Sequence, residues 1–205
     1  MELTFYISVF VTLFVVIDPI GLAPLYVALT TGEDTARRRA IAMRACVLSV
    51  GLLTLFGLLG EAVLGFVGIS MAAFRIAGGI LLFLTALEML FERRSKRRED
   101  QTGIDRPDPS VFPLAIPLIS GPGAIASMIL LTGEANGDWT LILGIHVVMV
   151  LVVGVVFVLF LAAPVLERLM GKTGINVITR LLGMLLAALA VQFVLDGLRD
   201  FVTFG

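Results

Sequence analysis

The amino-acid sequence predicts an all-α membrane protein of six transmembrane helices, arranged as two inverted three-helix repeats with the first helix of each repeat broken. Three observations carry this. The 205-residue chain is 59% hydrophobic, with a mean hydropathy of +1.05, against roughly 45–50% apolar residues in a soluble domain. Apolar stretches of bilayer-crossing length, about 20 residues each, recur along the whole chain. Short sequence blocks also repeat, in the same order, in the two halves.

The spans are expected near 3–29, 41–67, 70–91, 111–132, 140–164 and 175–198. The first begins with Met1-Glu2-Leu3-Thr4, which carries no basic side chain. A cleaved secretory signal needs such a basic region and a small-residue cleavage site, so this stretch is expected to stay as a span. Residues 1–91 form the first repeat and 111–205 the second. Between them, 92–110 is a basic cytoplasmic loop with the run Arg93-Arg94-Ser95-Lys96-Arg97-Arg98-Glu99-Asp100, expected to be solvated and able to touch anionic lipid.

Orientation follows from the cations. The loops after spans 1, 3 and 5, with adjoining helix ends, hold Arg37, Arg38, Arg39, Arg44, Arg93, Arg94, Lys96, Arg97, Arg98, Arg106, Arg168 and Lys172; the opposite side holds only Arg199. Cytoplasmic loops carry the excess of Lys and Arg. Both termini are therefore expected on the periplasmic or extracellular side of the inner (plasma) membrane.

The repeat is visible as four blocks. Asp18-Pro19-Ile20-Gly21 is answered by Ser120-Gly121-Pro122-Gly123, and Leu29-Thr30-Thr31-Gly32-Glu33 by Leu131-Thr132-Gly133-Glu134. Glu61-x3-Gly65-x2-Gly68-Ile69 is answered by Glu167-x3-Gly171-x2-Gly174-Ile175, and Arg75-x2-Gly78 by Arg180-x2-Gly183. Each half has three spans, an odd number, so the second copy must enter from the opposite face. Inverted repeats of this kind recur in secondary transporters.

The first span of each half carries helix breakers well inside its apolar segment: Asp18, Pro19, Gly21 and Pro24 in one, Pro113, Pro117, Ser120, Gly121, Pro122 and Gly123 in the other. Proline removes a backbone hydrogen bond and clashes with the preceding turn. The freed N–H and C=O groups cannot be left in lipid, so they must face protein, water or a ligand. Matching interruptions in two halves point to a binding site near the midplane. Half-helix N-termini suit a carboxylate, whereas Asp18 and freed carbonyls suit an ammonium group or a cation. A small zwitterionic solute fits both. The competing reading is that the prolines only kink the helices for packing.

An acid inside a span costs about 2.5–3.5 kcal/mol on insertion scales, so Asp18 should face the protein interior, be paired or be protonated, acting either on a substrate or cation or as a cap on the broken helix. Arg75 and Arg180, a few residues inside the third span of each half, are candidates for snorkelling to the interface, for a carbonyl clamp, for pairing with Asp18 or for substrate contact. Asn176 and Thr179 precede Arg180 and could cap or hydrogen-bond across helices. The lone His146 and lone Cys46 read as packing residues.

No nucleotide loop, nucleophile elbow, zinc-binding His pair or Cys cluster is present in the sequence. Catalysis, a metal and a cofactor are therefore not expected. The net charge of −1 offers no basis for a nucleic-acid partner.

The motifs Asp18-Pro19-Ile20-Gly21 with Pro24, Phe74-Arg75-Ile76-Ala77-Gly78-Gly79, Pro113-x3-Pro117-x2-Ser120-Gly121-Pro122-Gly123 and Asn176-x2-Thr179-Arg180-x2-Gly183 resemble the MarC family, also described as small neutral amino-acid transporters. The resemblance covers nearly the whole chain apart from the central loop. It implies a six-helix inner-membrane protein that carries glycine, alanine and similar solutes, with a proton or sodium gradient as candidate coupling. The expectation is therefore a secondary transporter working by alternating access around Asp18, Gly21 and Gly121–Gly123. Its rivals are export or passive conduction of another small solute, and a non-transporting membrane subunit.

Overall fold

A computed structural model describes residues 2–91 and 108–204. The described residues are helical, in seven elements: α1 (Glu2–Ile17), α2 (Pro19–Leu29), α3 (Thr35–Val67), α4 (Met71–Leu90), an irregular α5 (Ser110–Ile119), α6 (Pro122–Glu134) and α7 (Trp139–Phe204). Five helices have the length and apolar character of a membrane span: Leu3–Leu29, Thr35–Val67, Met71–Leu90, Trp139–Leu166 and Thr173–Thr203. The pair Ser110–Ile119 and Pro122–Glu134, bent by 55°, makes a sixth when counted as one broken span rather than a re-entrant loop. Most of the loop expected at 92–110, with Arg93, Arg94, Lys96, Arg97, Arg98 and Arg106, lies outside the described residues.

Two boundaries differ from the sequence reading. Span 2 begins at Thr35 rather than near 41, because Asp34 caps it: its carboxylate accepts from the Arg37 N–H at 2.7 Å, the interaction that makes Asp a strong N-cap. The Arg37–Arg39 run is thus helical although too polar to count as span. Spans 5 and 6 are joined with almost no loop. The helical path is interrupted at Gly171, whose φ of 61° and ψ of 173° suit glycine, which has no Cβ to clash.

The packing of spans follows from small residues. Spans 3 and 6 lie antiparallel and very close. A Cβ added to Gly79 would sit 2.8 Å from the Ala190 carbonyl oxygen, one on Gly197 2.9 Å from that of Ala72, and one on Gly183 3.3 Å from that of Ala86. Such backbone approach is the usual reward of small residues between membrane helices. Span 1 runs beside span 5: Tyr6 fills the space above Gly144, and farther along Tyr26 stacks on Phe160 with ring centroids 4.5 Å apart. Span 2 runs beside span 4, with Arg44 reaching Asp108, Ser49 beside Ser120 and Gly60 against Ile129.

The interior is largely apolar, with Leu13, Leu22, Leu53, Leu82, Met128, Leu130, Val152 and Leu186 fully buried. Outward faces carry Leu55, Leu59, Val63, Leu151, Val158, Leu181 and Leu185 exposed, an apolar surface far larger than soluble proteins leave to water. Lipid is its natural solvent.

Candidate functional site

Both predicted interruptions exist, and they are built differently. In span 1 a single residue, Asp18, takes the left-handed conformation (φ 57°, ψ 62°), which Asp tolerates better than most residues. Hydrogen bonds continue on either side: the Asp18 N–H donates to the Phe14 carbonyl at 3.0 Å, and the Leu22 N–H to the Asp18 carbonyl at 3.1 Å. Its carboxylate Oδ1 accepts from the Gly21 N–H at 3.1 Å, capping α2, with Pro19 at the first helical position, where its missing N–H costs nothing. The carboxylate lies in the space a Gly21 side chain would need. Asp18 is wholly shielded from solvent. Pro24 sits inside α2.

In span 4 the two halves meet at 55°. Phe112 and Ile116 have extended backbone (ψ near 121°) before Pro113 and Pro117, the conformation proline imposes on its predecessor. Gly121 is the N-cap of α6 with φ −75° and ψ 168° and gives no side-chain cap. The reason is steric: a Cβ at Gly121 would lie 2.6 Å from the Pro117 carbonyl oxygen. Pro122 opens the helix, and the Ile125 N–H bonds back to the Gly121 carbonyl at 3.0 Å. Ser120 is buried, its hydroxyl 3.4 Å from the Ser49 carbonyl of α3.

The two interruptions come together. A Cβ on Gly123, in the first turn of α6, would meet Val16 of α1 at 3.3 Å and Leu82 of α4 at 3.2 Å, with the Thr85 hydroxyl at 3.7 Å. Val16 is two residues before Asp18. The carboxylate-capped break and the helix N-terminus without a side-chain cap are thus neighbours inside the bundle. A carboxyl group and a dipole end of positive sign thus lie in one part of the bundle.

Other predicted site residues lie elsewhere. Arg75 does not reach Asp18. Its Nη1 donates to Asp200, and its Nη2 lies 3.5 Å from Glu134, at the end of the molecule that holds the termini. The sequence could not reveal this, since Asp200 is 125 positions away. Arg180 is exposed, Asn176 half-buried and Thr179 buried. They lie beside the far end of α4, because Gly183, one turn on from Thr179, packs on Met89. The Gly21 amide, expected to receive a substrate carboxylate, is engaged by Asp18. The α6 end is the one whose cap residue supplies no side chain.

Sequence reasoning gave no role to Glu134, Asp200 or Ser127. Glu134 had a signal, because its block matches the one ending in Glu33. The match extends to hydrogen bonding: the Thr30 hydroxyl donates to the Tyr26 carbonyl at 2.7 Å, and the Thr132 hydroxyl to the Met128 carbonyl at 2.8 Å. His146 does pack, with Nδ1 2.8 Å from the Ile142 carbonyl and Nε2 over Gly57. Cys46 is buried.

The comparisons with known proteins agree with this architecture. The profile described as "MarC family integral membrane protein" matches residues 3–202. The chain belongs to the MarC family. A membrane protein of Archaeoglobus fulgidus is 36% identical over 201 residues, 97% of this chain and 94% of that one. The Escherichia coli K12 membrane protein YhcE is 36% identical over 200 residues (95% and 92%). The inner membrane protein YhgN of the same organism is 33% identical over 195 residues (94% and 95%). No solved structure matches the chain. This MarC-family chain is a multi-pass integral membrane protein.

Proposed function

We propose that the protein is a secondary transporter of small neutral amino acids in the inner membrane, with both termini on the periplasmic or extracellular side. The observation that carries this reading is the burial of two interrupted spans against each other, Val16 beside Gly123 and Asp18 sealed from solvent. Backbone of this kind at membrane depth is tolerated where it lines protein or a cavity. The substrate carboxylate would rest on the N–H groups opening α6, near Gly121–Gly123, and the ammonium group near Asp18. Glycines at that end allow close backbone approach, which suits a small solute only. The pairing of span 1 with span 5, span 4 with span 2, and span 3 with span 6 supports an inverted duplication, since exchanging the halves maps this set onto itself. Alternating access would then be a rocking of the interrupted spans against the glycine-zipped pair of spans 3 and 6, coupled to a proton or sodium ion.

Asp18→Asn tests this. Asn can still accept from the Gly21 N–H and so keeps the cap, but it loses the charge. Uptake of labelled glycine into proteoliposomes is expected to vanish while the purified variant elutes as folded protein. Full uptake by the variant would remove Asp18 from the mechanism.

A further inference from the structure

The cluster of Arg75, Glu134 and Asp200 differs in burial from the pairs Arg37–Glu33 and Arg44–Asp108. Arg37–Glu33 and Arg44–Asp108 are surface pairs, with the Arg side chains 55% and 66% exposed, whereas Arg75 is 12% exposed. It joins three elements at the end of the bundle that carries the termini: α4 through Arg75, α6 through Glu134 and the end of α7 through Asp200. A buried cation of this kind is a poor source of stability for its own sake, because desolvation offsets much of the attraction. Ion pairs of this type are better suited to holding one of two arrangements.

Behind the cluster runs the seam between α4 and α6. Met71 packs on Gly133, Gly78 on Leu130 and Ala126, and Leu82 with Thr85 on Gly123. The seam therefore leads from the Arg75 cluster straight to the N-terminus of α6 and the break at Asp18. Ser127 lies on α6 between them, one turn from Gly123 and two from Glu134, on the same helix face by its i, i+4 and i, i+7 spacing. It is fully buried, and its hydroxyl has no hydrogen-bond partner. A polar group left so in a membrane interior is costly and suits a position that is wetted in another state.

We infer that the Arg75–Glu134–Asp200 cluster is the gate on the face of the termini, and that the α4/α6 seam behind it is the solute's route to the broken spans. This rests on the transporter reading above and adds the gate to it. Two acids share one cation, so removing Arg75 leaves like charges facing each other and opens the seam.

The test reads accessibility, not transport. Ser127→Cys is placed in a Cys46→Ser background, which removes the lone native thiol. A membrane-impermeant thiol reagent is applied from the side of the termini, identified by protease cleavage of a terminal tag. With the gate intact, labelling at 127 is slow. Adding Arg75→Gln, or the milder Glu134→Gln, is expected to speed it by about tenfold or more, the factor that corresponds to ~1.4 kcal/mol of lost closing free energy. Arg44→Gln at the opposite face is expected to leave labelling unchanged. Labelling unaltered by Arg75→Gln and Glu134→Gln in folded protein would overturn the gate, as would an equal acceleration in Arg44→Gln. If glycine uptake fails in the unmodified protein while these labelling results hold, the transporter reading falls and the gate stands.

Discussion

Spans 1 and 4 are both interrupted by proline and glycine, yet they resolve the interruption in opposite ways. Span 1 spends one left-handed residue, keeps its hydrogen bonds running past Asp18 and caps α2 with its own carboxylate. It crosses as one 27-residue element. Span 4 turns by 55° and brings the Pro117 carbonyl so close to Gly121 that no side chain fits at the cap position. One break carries a carboxyl group that caps its own helix; the other presents a helix N-terminus without a side-chain cap. Similar breakers thus yield complementary ends rather than equal ones, and complementary ends are what a zwitterion requires.

The comparison can be broken most forcefully at Gly121. Asp is among the best N-cap residues in general, so a purely local argument makes Gly121→Asp stabilising. The approach of Pro117 makes it overpacked instead, at a cost of roughly 1–3 kcal/mol, with loss of uptake. Thermal unfolding in detergent, read with glycine uptake, checks both. A smaller effect is expected at Gly21→Ala, whose new methyl group takes the space of the Asp18 carboxylate. Loss of that cap costs about 0.5–2 kcal/mol, and uptake should fall with it. Gly51→Ala is the matching control: nothing lies within 4 Å of its Cβ position, so the change should leave the unfolding midpoint level or slightly raised by the better helix propensity of Ala.

The smallest effect concerns how span 4 is tethered. The Ser110 hydroxyl and N–H hydrogen-bond to Asp108 at 2.6 and 3.0 Å, and with Arg44 they hold its carboxyl below the usual carboxylate range. A depressed folded-state pKa stabilises above the unfolded value and is lost as pH falls through the folded one. Acidification below the ordinary Asp range should therefore loosen the start of α5, by no more than ~1 kcal/mol for so exposed a pair. Asp108→Asn should abolish that part of the pH dependence of the unfolding midpoint.

Much of this contrast was legible in the sequence, for identifiable reasons. Apolar length gave the spans, and Pro19, Pro24, Pro113, Pro117 and Pro122 gave the interruptions, because proline acts on its own backbone wherever it stands. Asp18 stood out as an acid within an apolar run. Long-range geometry was not legible. For Arg75 the interface, a carbonyl clamp, Asp18 and the substrate all stayed open; its partners come from the ends of α6 and α7, and nothing local to Arg75 names them. The start of α3 was missed because capping by Asp34 extends a helix beyond its apolar part. Gly121 was read as a flexible breaker, but its role is set by a carbonyl that arrives only once the chain has bent.

The central claim is that the two breaks meet inside the bilayer and hold a small solute between them. Disulfide cross-linking of Val16→Cys with Gly123→Cys, in native membranes and in a Cys46→Ser background, tests it most directly, with Gly60→Cys and Ile129→Cys as the reference pair. The account predicts a cross-link that forms readily and is slowed by saturating glycine, which leaves the reference pair untouched. Absence of the cross-link while the reference pair forms, or a rate indifferent to the solute, would contradict it.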